Sequence, residues 1–143
     1  MLQPARRRSG KTAGLFIAGS AAFIFSVLYN GLVHLVVLGS ANRQMEPLRR
    51  ADFSSKIWIS LAGTLAVSFL FTGIYTLFAR EKNVRTGALF GLLFGLAAAV
   101  LVDLNQYVIY PLPFALAAAW SFFGVIEFTL LGAIVGSIMR NKA

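Results

Sequence analysis

Residues 86–109 read TGALFGLLFGLAAAVLVDLNQYVI, an apolar run in which Gly87, Gly91 and Gly95 recur at every fourth position. Asp103 is the only charged residue in this run. At 1.5 Å per residue, an α-helix of this length spans the roughly 30 Å hydrocarbon core of a bilayer. The stretch therefore predicts a membrane-spanning helix. Its glycines indicate a surface that packs closely against another helix.

Three further apolar segments are long enough to cross a membrane. They lie at 13–38, 57–79 and 113–139, and together with 86–109 they make four predicted spans, numbered 1 to 4 in chain order. Hydrophobic residues make up 58% and charged residues 13% of the 143 residues, against about 45–50% and about 25% in soluble domains. Because lipid offers backbone groups no hydrogen-bond partner, the spans should be helices. We expect an all-α membrane protein, with residues 1–143 forming a single transmembrane four-helix bundle.

The basic residues predict how the bundle is oriented. Nine of them lie at the end where spans 1 and 3 begin, and four lie at the other end. The nine are Arg6, Arg7, Arg8, Lys11, Arg80, Lys82, Arg85, Arg140 and Lys142, and the four are Arg43, Arg49, Arg50 and Lys56. The positive-inside rule then places both termini in the cytoplasm of a bacterial inner membrane. The net charge of +8 does not indicate a nucleic-acid partner, because no soluble domain with a basic face remains.

Span 1 shares some features with a secretory signal peptide, since a basic start leads into an apolar run and the small residues 39–41 follow it. Its apolar region is much longer than the about 7–15 residues of a signal peptide, so we expect an uncleaved anchor. The chain has no cysteine. Disulfides, thiolate metal sites and thiol redox chemistry are therefore excluded.

The connections between spans differ in length. The first, 39–56, is the only sizeable outward-facing segment; Pro47 can start a short surface helix there, and Ser54 or Ser55 can cap span 2. The other two connections are short. Short connections favour antiparallel neighbours, so spans 2 and 3, and spans 3 and 4, should pack together.

Spans 1 and 3 each carry a row of small residues that ends in polar ones. The rows are Gly14, Ala18, Ala22, Ser26, Asn30 and His34, and Gly87, Gly91, Gly95, Ala99, Asp103 and Tyr107. Span 4 adds a GxxxG pair, Gly132 and Gly136, to the predicted packing surfaces. The openings KTAGLF (11–16) and RTGALF (85–90) are also similar. This similarity fits either a parallel repeat of two hairpins or the chance likeness of two apolar spans.

Glu127 is the polar residue most expensive to place in lipid, because it lies near the middle of span 4. A charged acidic residue there costs about 3 kcal/mol, so it should face protein or a wet cavity. His34 and Asp103 lie toward the outward-facing ends of spans 1 and 3. The predicted ligand or proton site consists of Glu127, Asp103, His34, Asn30, Asn105 and Tyr107. Each residue also has an alternative interpretation. His34 and Asp103 are then hydrated at the membrane interface, and Tyr107 belongs to an interfacial aromatic belt. Asn30 and Asn105 then join helices by hydrogen bonds.

Several functions are compatible with such a site. The first is a membrane module that binds a small ligand, a proton or a lipid in an outer polar cluster, alone or as part of a translocation path. The alternative is an accessory or assembly subunit of a larger membrane complex. We expect either a homo-oligomer, which favours the first function, or a larger membrane complex, which favours the second. We do not expect an enzyme, because one histidine and two span carboxylates make a poor metal set and no nucleophile lies beside a base. No cofactor or metal is expected either.

The closing part of the chain resembles small four-span bacterial inner-membrane proteins of uncharacterised families. The resemblance covers spans 3 and 4 best and rests on Tyr110, Pro111, Leu112, Pro113, Trp120, Glu127, Gly132, Gly136 and Arg140. It implies the fold but no activity. Small multidrug exporters also have four spans, but they place their essential glutamate in the first, whereas span 1 of this chain has no carboxylate.

Overall fold

The structure, a computed structural model, describes residues 4–140, with side chains from residue 12 onward. Every regular element in that range is a helix. Span 1 is the α-helix Pro4–Gly31, continued by a π-helix, Leu32–Val37. Span 2 is the α-helix Phe53–Phe78, and span 4 is the α-helix Phe114–Ile138. Span 3 has three parts: the α-helix Val84–Ala98, a π-helix, Ala99–Asp103, and the α-helix Leu104–Ile109. Lys142 and the side chains of Arg6, Arg7, Arg8 and Lys11, which enter the orientation prediction, lie outside the described residues.

Within the described residues, four helical segments are long and apolar enough to cross a membrane. They are Thr12–Val37, Phe53–Phe78, Val84–Ile109 and Phe114–Ile138. Large apolar side chains such as Leu35, Leu77 and Val108 are exposed on the outside of the bundle. The prediction of an all-helical fold with four membrane-capable helices is thus confirmed. This architecture is compatible with a multi-pass membrane protein.

The two ends of the bundle can be told apart by what they carry. At one end the start of span 1 meets the end of span 4, where Gly14 lies against Met139. This end, which also carries residues 79–83, is called the terminal end below. The opposite end carries residues 38–52 and 110–113 and is called the loop end.

The apolar core lies in the half of the bundle next to the terminal end. Its fully buried members come from spans 1, 2 and 4, and they are Ala18, Ala22, Phe71, Tyr75, Leu131 and Val135. Phe71 also contacts two rings of span 3, with centroid distances of 4.9 Å to Phe90 and 5.2 Å to Phe94. This half is therefore filled by side chains.

Spans 3 and 4 approach each other backbone to backbone through their glycines. A Cβ atom added to Gly87 would collide with the carbonyl oxygen of Gly132, and one added to Gly132 would collide with that of Gly87. Gly91 is similarly placed against the carbonyl oxygen of Phe128, and Gly136 against that of Asn83. The glycine hydrogens at these positions point toward opposing carbonyl oxygens, an arrangement typical of Cα–H···O contacts.

Spans 2 and 3 are neighbours in a different way. They meet through the rings of Phe71, Tyr75, Phe90 and Phe94, and not by close approach of their backbones. The Tyr75 hydroxyl lies 3.2 Å from both the backbone nitrogen and the carbonyl oxygen of Asn83, which ties the connection to span 2. The bulky rings explain the wider separation, whereas the glycines explain the close contact of spans 3 and 4.

The first connection differs from the sequence expectation in detail. Span 2 begins at Phe53, directly after Asp52, and not after Ser54 or Ser55. The Asp52 carboxylate pairs with Arg50 at 2.9 Å, and the residue makes no side-chain cap. Pro47 lies inside a 3-10 helix, Arg43–Leu48, and does not start it. The polar residues after Asp52 therefore form the first turn of the span.

Candidate functional site

The half of the bundle next to the loop end contains a cavity of about 690 Å³. Most of its lining is apolar or aromatic, and its polar groups come from spans 1, 3 and 4. They are Tyr29, Asn30, His34, Asp103, Gln106, Trp120 and Glu127. A mostly apolar cavity of this size with a few convergent polar groups has the character of a small-molecule site.

Glu127 is held at the deep end of this cavity by span 1. It is 8% exposed. The Asn30 amide donates a 2.8 Å hydrogen bond to Glu127 Oε1 and a 2.9 Å hydrogen bond to the carbonyl oxygen of Ser26. The Ser26 side chain also interacts with the Glu127 carboxyl group. Ser26 and Asn30 belong to the row of small and polar residues on span 1, and they lie one turn apart on the same face. This row therefore supplies both partners of Glu127.

His34 lies in the π-helix of span 1, where a buried amide from the first connection meets it. Asn42 Nδ2 donates to the His34 carbonyl oxygen at 2.9 Å and lies 3.3 Å from His34 Nδ1. Trp120 Nε1 donates to Asn42 Oδ1 at 3.0 Å. Since the indole can only donate, this bond fixes the orientation of the amide and makes Asn42 Nδ2 the group that faces the imidazole. Asn42 therefore joins the first connection to spans 1 and 4.

Asp103 ends the π-helix of span 3 and faces the same cavity. Its carboxyl group interacts with His34 and with the side chain of Ser121. The Ser121 hydroxyl is buried and makes no hydrogen bond of standard geometry with any group that the structure describes. Both π-helices of the described chain thus border the cavity. Isolated π turns inside α-helices are frequent at functional sites.

The structure separates the six predicted site residues into two groups. Glu127, Asp103, His34 and Asn30 line the one cavity. Asn105 and Tyr107 are exposed, and the Tyr107 ring packs against Phe114 with centroids 5.4 Å apart. Gln106 from span 3 and Tyr29 from span 1 line the cavity instead. The Tyr29 hydroxyl donates a hydrogen bond to the carbonyl oxygen of Phe123 at 3.0 Å.

A second cavity, of about 610 Å³, lies between spans 1 and 2 beneath the first connection. Asn30, His34 and Trp120 separate it from the first, since they line both. Arg49 is the one lysine or arginine of its described lining. The Arg49 guanidinium lies 5.1 Å from the centre of the Phe53 ring. The two cavities therefore differ in charge, with carboxyl groups in the first and a guanidinium in the second.

Sequence reasoning missed two features of this region. Asn42 carries no signal in the sequence, since its partners Trp120 and His34 are set by how the first connection folds back. The second feature is a row of hydroxyl residues at every fourth position of span 2, and this row is visible in the sequence. The row is Ser60, Thr64, Ser68, Thr72 and Thr76, and the last four hydroxyls each donate to the carbonyl oxygen four residues earlier. Because these groups are satisfied within their own helix, the row is not itself a site.

Neither a metal-ligand cluster among the described side chains nor a similar known protein indicates a function for this cavity. Among the described side chains, no three His, Asp or Glu residues lie close enough together to hold a metal ion. Comparison with known proteins finds no family model, no curated protein and no solved structure that matches the chain. The class that the fold supports is thus a multi-pass helical membrane protein. The resemblance to small bacterial inner-membrane proteins stays a prediction.

Proposed function

We propose that the protein is an integral membrane protein that binds a small ligand in the cavity of the loop half. The observation that supports this most strongly is the placement of Glu127, a nearly buried carboxyl group held by Asn30 at 2.8 Å and facing a cavity of about 690 Å³. A polar group this deep in a span costs free energy, so its presence favours a functional role.

The proposal is limited to binding from the loop end. Phe71, Leu131 and Val135 fill the bundle on the other side of Glu127. A proton or solute would have to pass this packed half to cross the bundle. Translocation therefore requires a second arrangement of the helices, and reconstituted vesicles holding a pH-sensitive dye would reveal it as proton flux that Glu127→Gln or Asp103→Asn abolishes.

The alternative of an accessory subunit receives less support. In that alternative, the glycines of spans 3 and 4 and Glu127 would dock against a partner. In the structure Gly87, Gly91 and Gly132 contact the backbone of this same chain, and Glu127 bonds to Asn30. These groups therefore already make contacts within the chain and are not free to contact a partner. A homo-oligomer or a larger complex would need other surfaces.

We also propose that both termini face the cytoplasm of a bacterial inner membrane, because the terminal end has the larger number of basic residues. Single cysteines at exposed positions test this without interference, since the chain has no cysteine. Gln44→Cys should react with a membrane-impermeant maleimide added to intact spheroplasts, and Glu81→Cys should react only after permeabilisation. The reverse pattern would contradict the orientation.

Gly124 offers the direct test of ligand access. It lines the cavity, and a Cβ atom added there would meet no other atom within 4 Å. Gly124→Cys should react with N-ethylmaleimide, because the cavity gives water and the reagent access to the thiol. Phe122→Cys is the matched control, since Phe122 is two residues away on the same helix but 62% exposed on the outer surface. Equal slow reaction at both positions would contradict the binding function.

A further inference from the structure

We infer that the cavity of the loop half selects hydrophobic organic cations, such as ammonium or phosphonium compounds whose charge is surrounded by apolar groups. This inference rests on the proposed function, because it names the ligand class of the same cavity. It follows from three observations: the charges that line the cavity, its aromatic walls, and the contrast with the second cavity.

The charges of the lining favour a positive ligand. Glu127 and Asp103 are the acidic groups of the cavity, and none of its described lining residues is a lysine or an arginine. The partners of Glu127, Asn30 and Ser26, are neutral. A carboxylate buried without a counter-charge costs free energy, and the described partners of Glu127 include no basic side chain. A cationic ligand would supply that charge.

The walls of the cavity favour a cation with an apolar envelope. Five aromatic rings line it, contributed by Tyr29, Phe94, Trp120, Phe123 and Phe128. Aromatic faces attract cations through their quadrupole, and more strongly where water is excluded. A small metal ion would instead need several oxygen ligands. The described carboxyl and imidazole groups do not form such a set.

The second cavity supplies an internal contrast. It is of similar size, but the charged group that distinguishes it is Arg49. A hydrophobic cation should therefore avoid the second cavity and enter the first. Substitution of Arg49 should leave binding unchanged, whereas substitution of Glu127 should weaken it. This difference separates charge selection from general affinity for apolar surfaces.

Two probes of the same shape and opposite charge test the inference: tetraphenylphosphonium and tetraphenylborate. Trp120 lies in the cavity wall, and the other tryptophan of the chain, Trp58, is exposed. In the full-length Trp58→Phe variant, held in a neutral detergent, Trp120 is therefore the sole tryptophan reporter. We expect saturable quenching of Trp120 by the phosphonium at concentrations at least about tenfold lower than by the borate.

Carboxyl variants complete the test. Glu127→Gln keeps an oxygen that accepts from Asn30, and it should weaken phosphonium binding by about tenfold or more. Asp103→Asn should weaken it less, and Arg49→Gln should not change it. If Glu127→Gln does not fold, as judged by gel filtration and circular dichroism, Asp103→Asn decides the test.

Two results would overturn the inference, and they separate it from the proposed function. Equal binding of both probes, or phosphonium binding that neither carboxyl variant changes, would show that the cavity does not select cations. If the borate binds at least as tightly as the phosphonium and Ala98→Phe, which fills the cavity, removes the binding of both, the ligand class is wrong but the binding function stands. If neither probe binds and Gly124→Cys does not react, both proposals are wrong.

Discussion

The terminal half and the loop half of the bundle are built from the same four spans but are packed in different ways. In the terminal half, glycines bring spans 3 and 4 into backbone contact, and a buried core that includes Phe71 and Tyr75 fills the space between the helices. In the loop half, spans 1 and 3 change from α- to π-helix, and polar side chains line a cavity of about 690 Å³.

This difference suggests a division of roles along the membrane normal. Without a hydrophobic force between helices in lipid, close packing of small residues supplies much of the contact energy. The terminal half has that packing and can hold the bundle together. The loop half is then free to carry groups that weaken packing, such as Glu127 and Asp103. Substitutions should accordingly affect stability in one half and ligand access or binding in the other.

The largest effect on stability should come from Gly91→Leu. Its side chain would have to displace the backbone carbonyl of Phe128, which cannot move as a flexible side chain does. We expect a loss of about 3 kcal/mol or more in the free energy of unfolding, the upper end for overpacked sites. Gly73→Leu is the matched control, because no atom lies within 4 Å of a Cβ there. Denaturant titration in detergent measures both, and equal losses would contradict the division of roles.

A smaller effect should follow from Asn42→Ala. The substitution removes the acceptor of Trp120 Nε1 and the donor to the His34 carbonyl oxygen, both of which lie at the edge of the cavity. We expect a loss of about 1–2 kcal/mol in the free energy of unfolding. Amide hydrogen exchange should become faster in residues 39–48, and the exchange of span 4 beyond Leu131 should not change. Faster exchange throughout the bundle would argue against two separate halves.

Glu127→Gln should change stability still less. The glutamine oxygen can accept the hydrogen bond from Asn30 that Glu127 Oε1 accepts in the structure. We expect a change within about 1 kcal/mol, whereas Glu127→Leu leaves the amide without its side-chain acceptor and should cost about 1–3 kcal/mol. The same denaturant titration compares the two. A glutamine variant as unstable as the leucine variant would show that the carboxyl group mainly holds the fold together.

The smallest effects should come from Asn105→Ala and Tyr107→Phe. Both residues are exposed, and the phenylalanine would keep the ring contact with Phe114. We expect changes within about 0.5 kcal/mol, as is usual for surface positions, and no change in phosphonium binding. A loss of binding in either variant would show that the residue belongs to the site and that the ligand-binding region extends further toward the loop end.

Much of this arrangement could be predicted from the sequence because it depends on composition and spacing within one helix. The lengths of the apolar runs predict the four membrane-capable helices, and the four-residue spacing of glycine predicts a narrow helix surface. The depth of Glu127 marks it as costly in lipid, and Ser26 and Asn30 follow from a row read off span 1.

The rest depends on contacts between distant parts of the chain. Tyr107 shares a helical face with Asp103 in an ideal α-helix. The chain is α-helical from Leu104 to Ile109, so the π-helix Ala99–Asp103 shifts both residues together relative to the glycine row that precedes it. Asp103 and Gln106, three residues apart, line the cavity, whereas Tyr107 is exposed and packs against Phe114. Asn42 could not be predicted, because its burial requires the first connection to fold onto Trp120.

Water access along one face of span 4 tests the two-half description most directly. Gly124 and Leu131 are two helical turns apart and share a face; the first lines the cavity and the second is 1% exposed in the core. Single cysteines at the two positions should differ sharply in their rate of reaction with a small water-soluble thiol reagent. Gly124→Cys should be modified and Leu131→Cys should not. Comparable rates at both positions would contradict it.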